Sequence, residues 1–298
     1  MANLALSTLK SYPLMIMHHK TFPPFIHAQS MSLHSDNDNM EPLANCLSLL
    51  HMIGGNLRGS RKLFWKNVSM ECERLREEHA KLNAWELLAS MQALSIYLLV
   101  RLQEGETDYN NYDYLMLTTV IVISKEFART ESGCDVDTAC SSHNLEMNWK
   151  AWVFLESRRR SDRLPPLQLF KTDIQRLAVI YRVVDMLVYF EPAGMCGLQK
   201  DLIIAPLPAK KQLWEADHKI LWEEQGKRDG AIQDSFGLVA NGELVKLDQG
   251  QLYCGNGELR YRLSTNNSPA SSATNWEYWC SGMDGLGGLV MLAASLIV

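Results

Sequence analysis

The sequence predicts a mainly α protein: a bundle of helices with at most one short β-hairpin. Apolar residues recur at three- and four-residue intervals in one segment after another, which is the signature of helices with one buried face. Loops holding glycine or proline separate these segments, at Gly54-Gly55, Gly133, Pro165-Pro166, Pro192 and Pro206/Pro208. A strand-turn-strand pattern occurs once, in FGLVANGELVKL, where Asn241-Gly242 sits between two apolar stretches.

Residues 1–40 mix aromatics, prolines and histidines (Tyr12, Pro13, Phe22, Pro23, Pro24, Phe25) and are expected to form an extended segment lying on the core. The helical domain is expected to span 41–298. It opens with EPLANCLSLLHMI, where Pro42 fits a first turn that lacks N–H partners and Leu43, Cys46, Leu47 and Leu50 share a face. After Ser60, residues Phe64, Val68, Cys72 and Leu75 form an apolar stripe, and Glu71, Glu73, Arg74, Arg76, Glu77 and Glu78 fill the solvated side. Asn83 followed by Glu86 is a capping box opening AWELLASMQALSIYLLVRLQ, which is apolar on most sides and is expected at the centre of the core. Further helical runs are read at 113–127, 145–160, 177–190 and 210–224, while SPASSATN at 268–275 reads as a polar loop. The apolar run from Leu286 to Val298 is shorter than the roughly 18 residues a bilayer span needs and is read as a buried helix, so no membrane partner is expected.

The chain has 298 residues, 47% of them hydrophobic and 21% charged, which is a globular composition with material for a real core. Its formal charge of -5 opposes a protein whose main surface grips phosphates, since such a face needs uncompensated Lys and Arg. Seven cysteines spread through the chain do not make a disulfide scaffold and fit a reducing compartment.

No residue qualifies as catalytic, cofactor-binding or metal-ligating. Zinc clusters use closely spaced thiolates, and there is no Cys-x-x-Cys pair; Cys134 and Cys140, with Asp135 and Asp137 between them, read as a polar loop. His18-His19, His27 and His34 lack ligand spacing and read as surface histidines. His34 and Asp38 could pair as a general base with its orienting carboxylate, but they lie in HSDNDN, where Asp and Asn ordinarily cap and turn the chain. The glycines of GMDGLGG lack the preceding strand of a dinucleotide site. Three basic patches remain: Arg61-Lys62, Arg158-Arg159-Arg160 with Arg163, and Lys210-Lys211. The arginine run reads either as a nuclear-import or phosphate-contacting element or as cations placed at a helix C-terminus. Trp149/Trp152, Trp214, Trp222 and Trp276/Trp279 are read as core anchors.

Six segments taken together, SYPLMIMHHKTFPPFIH (11–27), EPLANCLSLLHM (41–52), WELLASMQALSIYLLVRL (85–102), WKAWVFLESRRR (149–160), PLPAKKQLWEA (206–216) and WCSGMDGLGGLVMLAASLI (279–297), resemble the fungal-specific regulatory region found C-terminal to zinc-finger or zinc-cluster modules in fungal transcription factors. The resemblance covers most of the chain in the family's order. It implies a helical regulatory domain, a nuclear location, no enzymatic activity, and control of transcription, often of secondary-metabolite gene clusters. It also implies partners among other transcription regulators or a homodimer, with promoter DNA and zinc entering only through an upstream module. Against the family pattern, SDRLPPLQLFKTDIQR intervenes after the arginine run and is expected to be a loop insertion at 161–176, and the chain is expected to be truncated at the C-terminus. Two rival readings accompany this one: a truncated modulator that acts on another regulator without DNA contact, and an enzyme with a pocket among the helices.

Overall fold

The computed structural model describes residues 2–19, 21–31, 39–55, 59–133, 149–161, 203–229, 235–239, 244–247, 253–255, 258–260 and 269–294. Over these residues the protein is mainly α. In chain order the elements are α1 (Ala2–Leu14), α2 (Glu41–Gly54), α3 (Ser60–Glu78), α4 (Ala84–Glu104), α5 (Asp113–Gly133), α6 (Trp149–Ser161), β1 (Ile203–Pro206), α7 (Lys211–Trp214), α8 (Lys219–Asp229), β2 (Ser235–Val239), β3 (Leu244–Leu247), β4 (Tyr253–Gly255), β5 (Glu258–Arg260), α9 (Pro269–Cys280) and α10 (Gly285–Ala294).

The α4 helix is the axis of the bundle. Asn83 accepts from the Trp85 and Glu86 N–H groups while the Glu86 carboxylate accepts the Asn83 N–H at 2.6 Å, so the expected capping box is complete. From Leu87 to Tyr97 every side chain is buried, because α1, α2, α5 and α6 all pack against this helix. By length and composition α4 could cross a bilayer, yet most of its apolar stretch is already covered by its neighbours. Near its C-terminus, Glu104 takes Arg61 and the Trp65 indole N–H (2.8 Å) from the first turns of α3, and Arg101 meets Asp113 at the start of α5 at 2.8 Å. Both α3 and α5 therefore start at the same end of α4 and run parallel to each other. Between α4 and α5 the chain turns at Gly105, whose φ of 74° suits a residue without Cβ, and the buried Asn110 side chain ties Thr107 N–H to Gly105 C=O.

The segment 1–40 is not extended as expected. Ala5, Leu9, Tyr12 and Ile16 recur at three- and four-residue spacing and are all buried, so 2–14 is a helix within the main core, packed on α4 and α10. Pro13 cannot donate to the Leu9 carbonyl, and directly after it the backbone widens into a π-turn at Met15–His19. Near the other terminus, SPASSATN is not a loop. Pro269 occupies a first helical position, where its missing N–H costs nothing, and α9 runs on to the buried Trp279.

The expected helix at 210–224 divides at Glu215–His218, which lets Trp214 and Trp222 reach different neighbours. The hairpin forms as β2 and β3, paired from Ser235↔Leu247 to Leu238↔Leu244, with Asn241-Gly242 outside the described residues. It is wider than expected, since β1 adds antiparallel to β2 and ends at Pro206, whose lack of an N–H suits an edge strand. A separate pair, β4–β5, lies beyond it. The expected insertion at 161–176 and the helix at 177–190 lie outside the described residues, apart from Ser161 at the end of α6.

Candidate functional site

The α6 helix turns Trp152, Val153, Glu156, Ser157 and Arg160 to the inside, and Glu156 and Arg160, four residues apart, meet on one face. The Arg160 side chain is fully buried. Its Nε donates to Glu156 Oε1 at 2.8 Å, Nη1 to Pro24 C=O at 2.9 Å and to the Asp284 carboxylate, and Nη2 to Ala209 C=O at 3.0 Å. The flat guanidinium stacks over the Trp214 ring at 4.0 Å. A charge taken out of water costs several kcal/mol unless its hydrogen bonds are replaced, and nearly all of this guanidinium's donors are used.

Both acids are satisfied in turn. Glu156 Oε1 also accepts the Ala209 N–H at 2.7 Å and Oε2 accepts from Arg159 at 2.9 Å. Asp284 divides its oxygens: Oδ2 faces Arg160, and Oδ1 accepts the Gly287 N–H at 2.9 Å at the start of α10. Gly287 is needed here, since a Cβ would fall 2.4 Å from Met283 Cγ.

Against this junction lies His27, 2% exposed, edge-on to Trp214 at 4.8 Å and to Trp149 at 6.3 Å. Its Nδ1 accepts the Gln29 N–H at 3.1 Å, which leaves the proton on Nε2. The backbone of Trp214 and Ala216 flanks the ring, yet Nε2 completes no hydrogen bond. Burial, then the Arg160 charge, lowers its pKa to about 4, so the imidazole is neutral at physiological pH. Burial, reinforced by Asp284, raises the pKa of the Tyr12 phenol, which stays protonated.

Chemically this is a dry, charge-balanced junction. Burial pushes the Cys72 thiol up to about 12 and raises that of Cys46 as well, so neither is a ready nucleophile. Among the described residues no group of three or more His, Cys, Asp or Glu is placed to hold a metal ion.

The histidines read as surface residues divide: His18 and His19 are exposed on the π-turn, whereas His27 is buried because the 21–31 segment folds under α6 and α7. His34, Asp38, Cys134, Asp135, Asp137, Cys140 and Arg163 lie outside the described residues. The arginine run does not present three accessible cations. Arg160 is internal, Arg158 is 6% exposed with its guanidinium over the Phe127 ring at 4.2 Å, and Arg159 pairs with Glu156. Of the other basic patches, Arg61 meets Glu104, Lys210 lies over the Tyr278 ring and Lys211 pairs with Glu215. Trp152, Trp214, Trp222 and Trp279 are core anchors as read.

A second concavity, a groove of about 510 Å³, runs on the outside between α3 and α5, with Val122 between charged walls that include Glu73, Glu77, Lys125 and Arg129. No protein-family model matches the chain, and neither the curated proteins nor the solved structures provide a match.

Proposed function

We propose that this chain is a transcriptional regulator of the fungal regulatory-domain type, nuclear, controlling a biosynthetic gene set through contacts with other regulators or with a second copy of itself. One observation supports the reading most. The six segments that resemble the family are bonded into a single unit. Arg160 joins 149–160 to Pro24, Ala209 and Asp284, and so to 11–27, 206–216 and 279–297. The Gln92 amide donates to Phe25 C=O at 3.0 Å and the Cys46 thiol to Ala93 C=O at 3.8 Å, bringing in 85–102 and 41–52. Segments that keep a common order and all meet at one junction are what a shared domain requires physically. Resemblance confined to scattered surface loops would lack that basis.

The test is chromatin immunoprecipitation of the tagged native protein, paired with transcript profiling after deletion of its gene. Enrichment at promoters of co-regulated biosynthetic genes, with loss of their transcripts, is the expected result. Transcript changes without enrichment would move the assignment to a modulator that reaches DNA only through a partner. Neither effect, across conditions in which the protein is present, would overturn the proposal.

A further inference from the structure

The outer face of the α3–α5 pair is self-complementary. Because the two helices run parallel, with Thr119 Oγ1 against Cys72 C=O and Glu126 close to His79, position along one maps directly onto position along the other. On α3 the exposed ridge reads Lys66, Met70, Glu73, Glu77, at intervals of four, three and four. On α5 it reads Tyr114, Thr118, Val122, Lys125 and Arg129. Each ridge is one helical stripe, about 17 Å long on α3 and about 22 Å on α5 at 1.5 Å per residue. Toward the C-terminal ends one stripe is acidic and the other basic, across the groove. Toward the N-terminal ends Met70 and Tyr114 are 56% and 82% exposed, with Leu63, 50% exposed, at the border.

A two-fold axis running along the groove, parallel to both helices, exchanges the ridges and keeps the height of every residue. It sets the acidic stripe of one copy on the basic stripe of the other, twice, and brings the Met70 and Tyr114 ends together, with Lys66 over the facing Tyr114 ring. Arg76 and Glu126 line the same groove with the opposite signs on their helices. Glu126 is 7% exposed and paired with Arg129 at 2.6 Å, so it lies at the base of the groove rather than on the ridge; the Arg129 side chain is still 70% exposed.

We infer that this face is a homodimer interface, occupied by a second copy of the chain docked α3 on α5 and α5 on α3 about that axis. The inference does not depend on the regulatory reading above. A patch two helices wide and roughly 20 Å long is at the small end of specific interfaces, so the expected affinity is micromolar.

The experiment is sedimentation equilibrium of the full chain up to about 100 µM, with helix content by circular dichroism as the folding control. The chain as it stands should dimerise with micromolar Kd, and Met70→Glu should weaken this at least tenfold. Glu77→Lys alone and Lys125→Glu alone should each be folded and largely monomeric, since each places like charges opposite one another twice. Mixed together, the two variants should form a heterodimer, and the double variant should self-associate again. A native chain that stays monomeric at 100 µM would overturn the inference, as would a dimer indifferent to Met70→Glu or a mixture of the two charge variants that fails to associate.

Discussion

The bundle around α4 and the junction around Arg160 are held together in different ways. In the bundle, Leu87 to Tyr97 are buried side chain after side chain against helices on several sides. That packing is non-directional and spread over many residues, so each contributes a modest share. At the junction one guanidinium reaches two carboxylates and two backbone carbonyls, and a few directional bonds hold five parts of the chain. The contrast is in how damage spreads. The bundle can lose a contact and repack, whereas the junction, once short of a partner, is left with buried charge that nothing nearby neutralises.

The sharpest way to break this contrast is Arg160→Ala. It strands Glu156 and Asp284, 1% and 6% exposed, and is expected to cost about 3–5 kcal/mol in a denaturant titration followed by tryptophan fluorescence. Arg160→Lys should rescue little, because an ammonium cannot reach the four acceptors in their planar arrangement. A loss below about 1 kcal/mol would mean that the junction adds nothing to the bundle's own stability.

Acid should act next, and on the junction alone. His27 holds its proton less readily in the folded chain, at about 4, than the 6.5 of an unburied imidazole. Between these values the unfolded chain binds more protons, so stability is full above pH 6.5 and falls as pH drops toward 4. The expected loss from pH 7 to pH 5 is about 2 kcal/mol at this one group. Comparing that loss in the native chain and in His27→Gln isolates it from the carboxylates, and equal losses in both would remove His27 from the account.

The smallest effect belongs to the bundle. Asn83→Ala removes one side of the capping box of α4 and is expected to cost about 1 kcal/mol, seen as a lower midpoint at unchanged slope. A cost as large as that of Arg160→Ala would erase the distinction between distributed and concentrated stability.

The same distinction governs what could be read from the sequence. The α3 stripe, the Asn83/Glu86 box and the apolar α4 were legible because helix periodicity and caps act over three or four residues. The hairpin was legible from Asn241-Gly242, but β1, which joins it from more than thirty residues upstream, was not. In α9, Ser, Thr and Asn have weak local preferences, and the helix follows from Pro269 at its start and from docking through Trp276 and Trp279, which are tertiary facts. Arg160 was the least legible residue. A run of three arginines reads as a solvated patch, and its reassignment comes from Pro24, Asp284 and Ala209, which lie 136, 124 and 49 residues away. Only the Glu156 to Arg160 spacing hinted that one of the three had a partner.

Asp284 also constrains the order in which the chain can mature. Its two oxygens belong to different tasks, starting α10 and completing the shell around Arg160, and it is made 260 residues after Pro24, which binds the same guanidinium. During synthesis, α4 can gather α1, α2 and α5 as they emerge, while the 21–31 segment has only part of its anchor until Asp284 leaves the ribosome. Closing so distant a contact is slow relative to forming local helices. Until it closes, a nascent chain carries His27, Trp214 and the Arg160 guanidinium open to water, where a chaperone can find them.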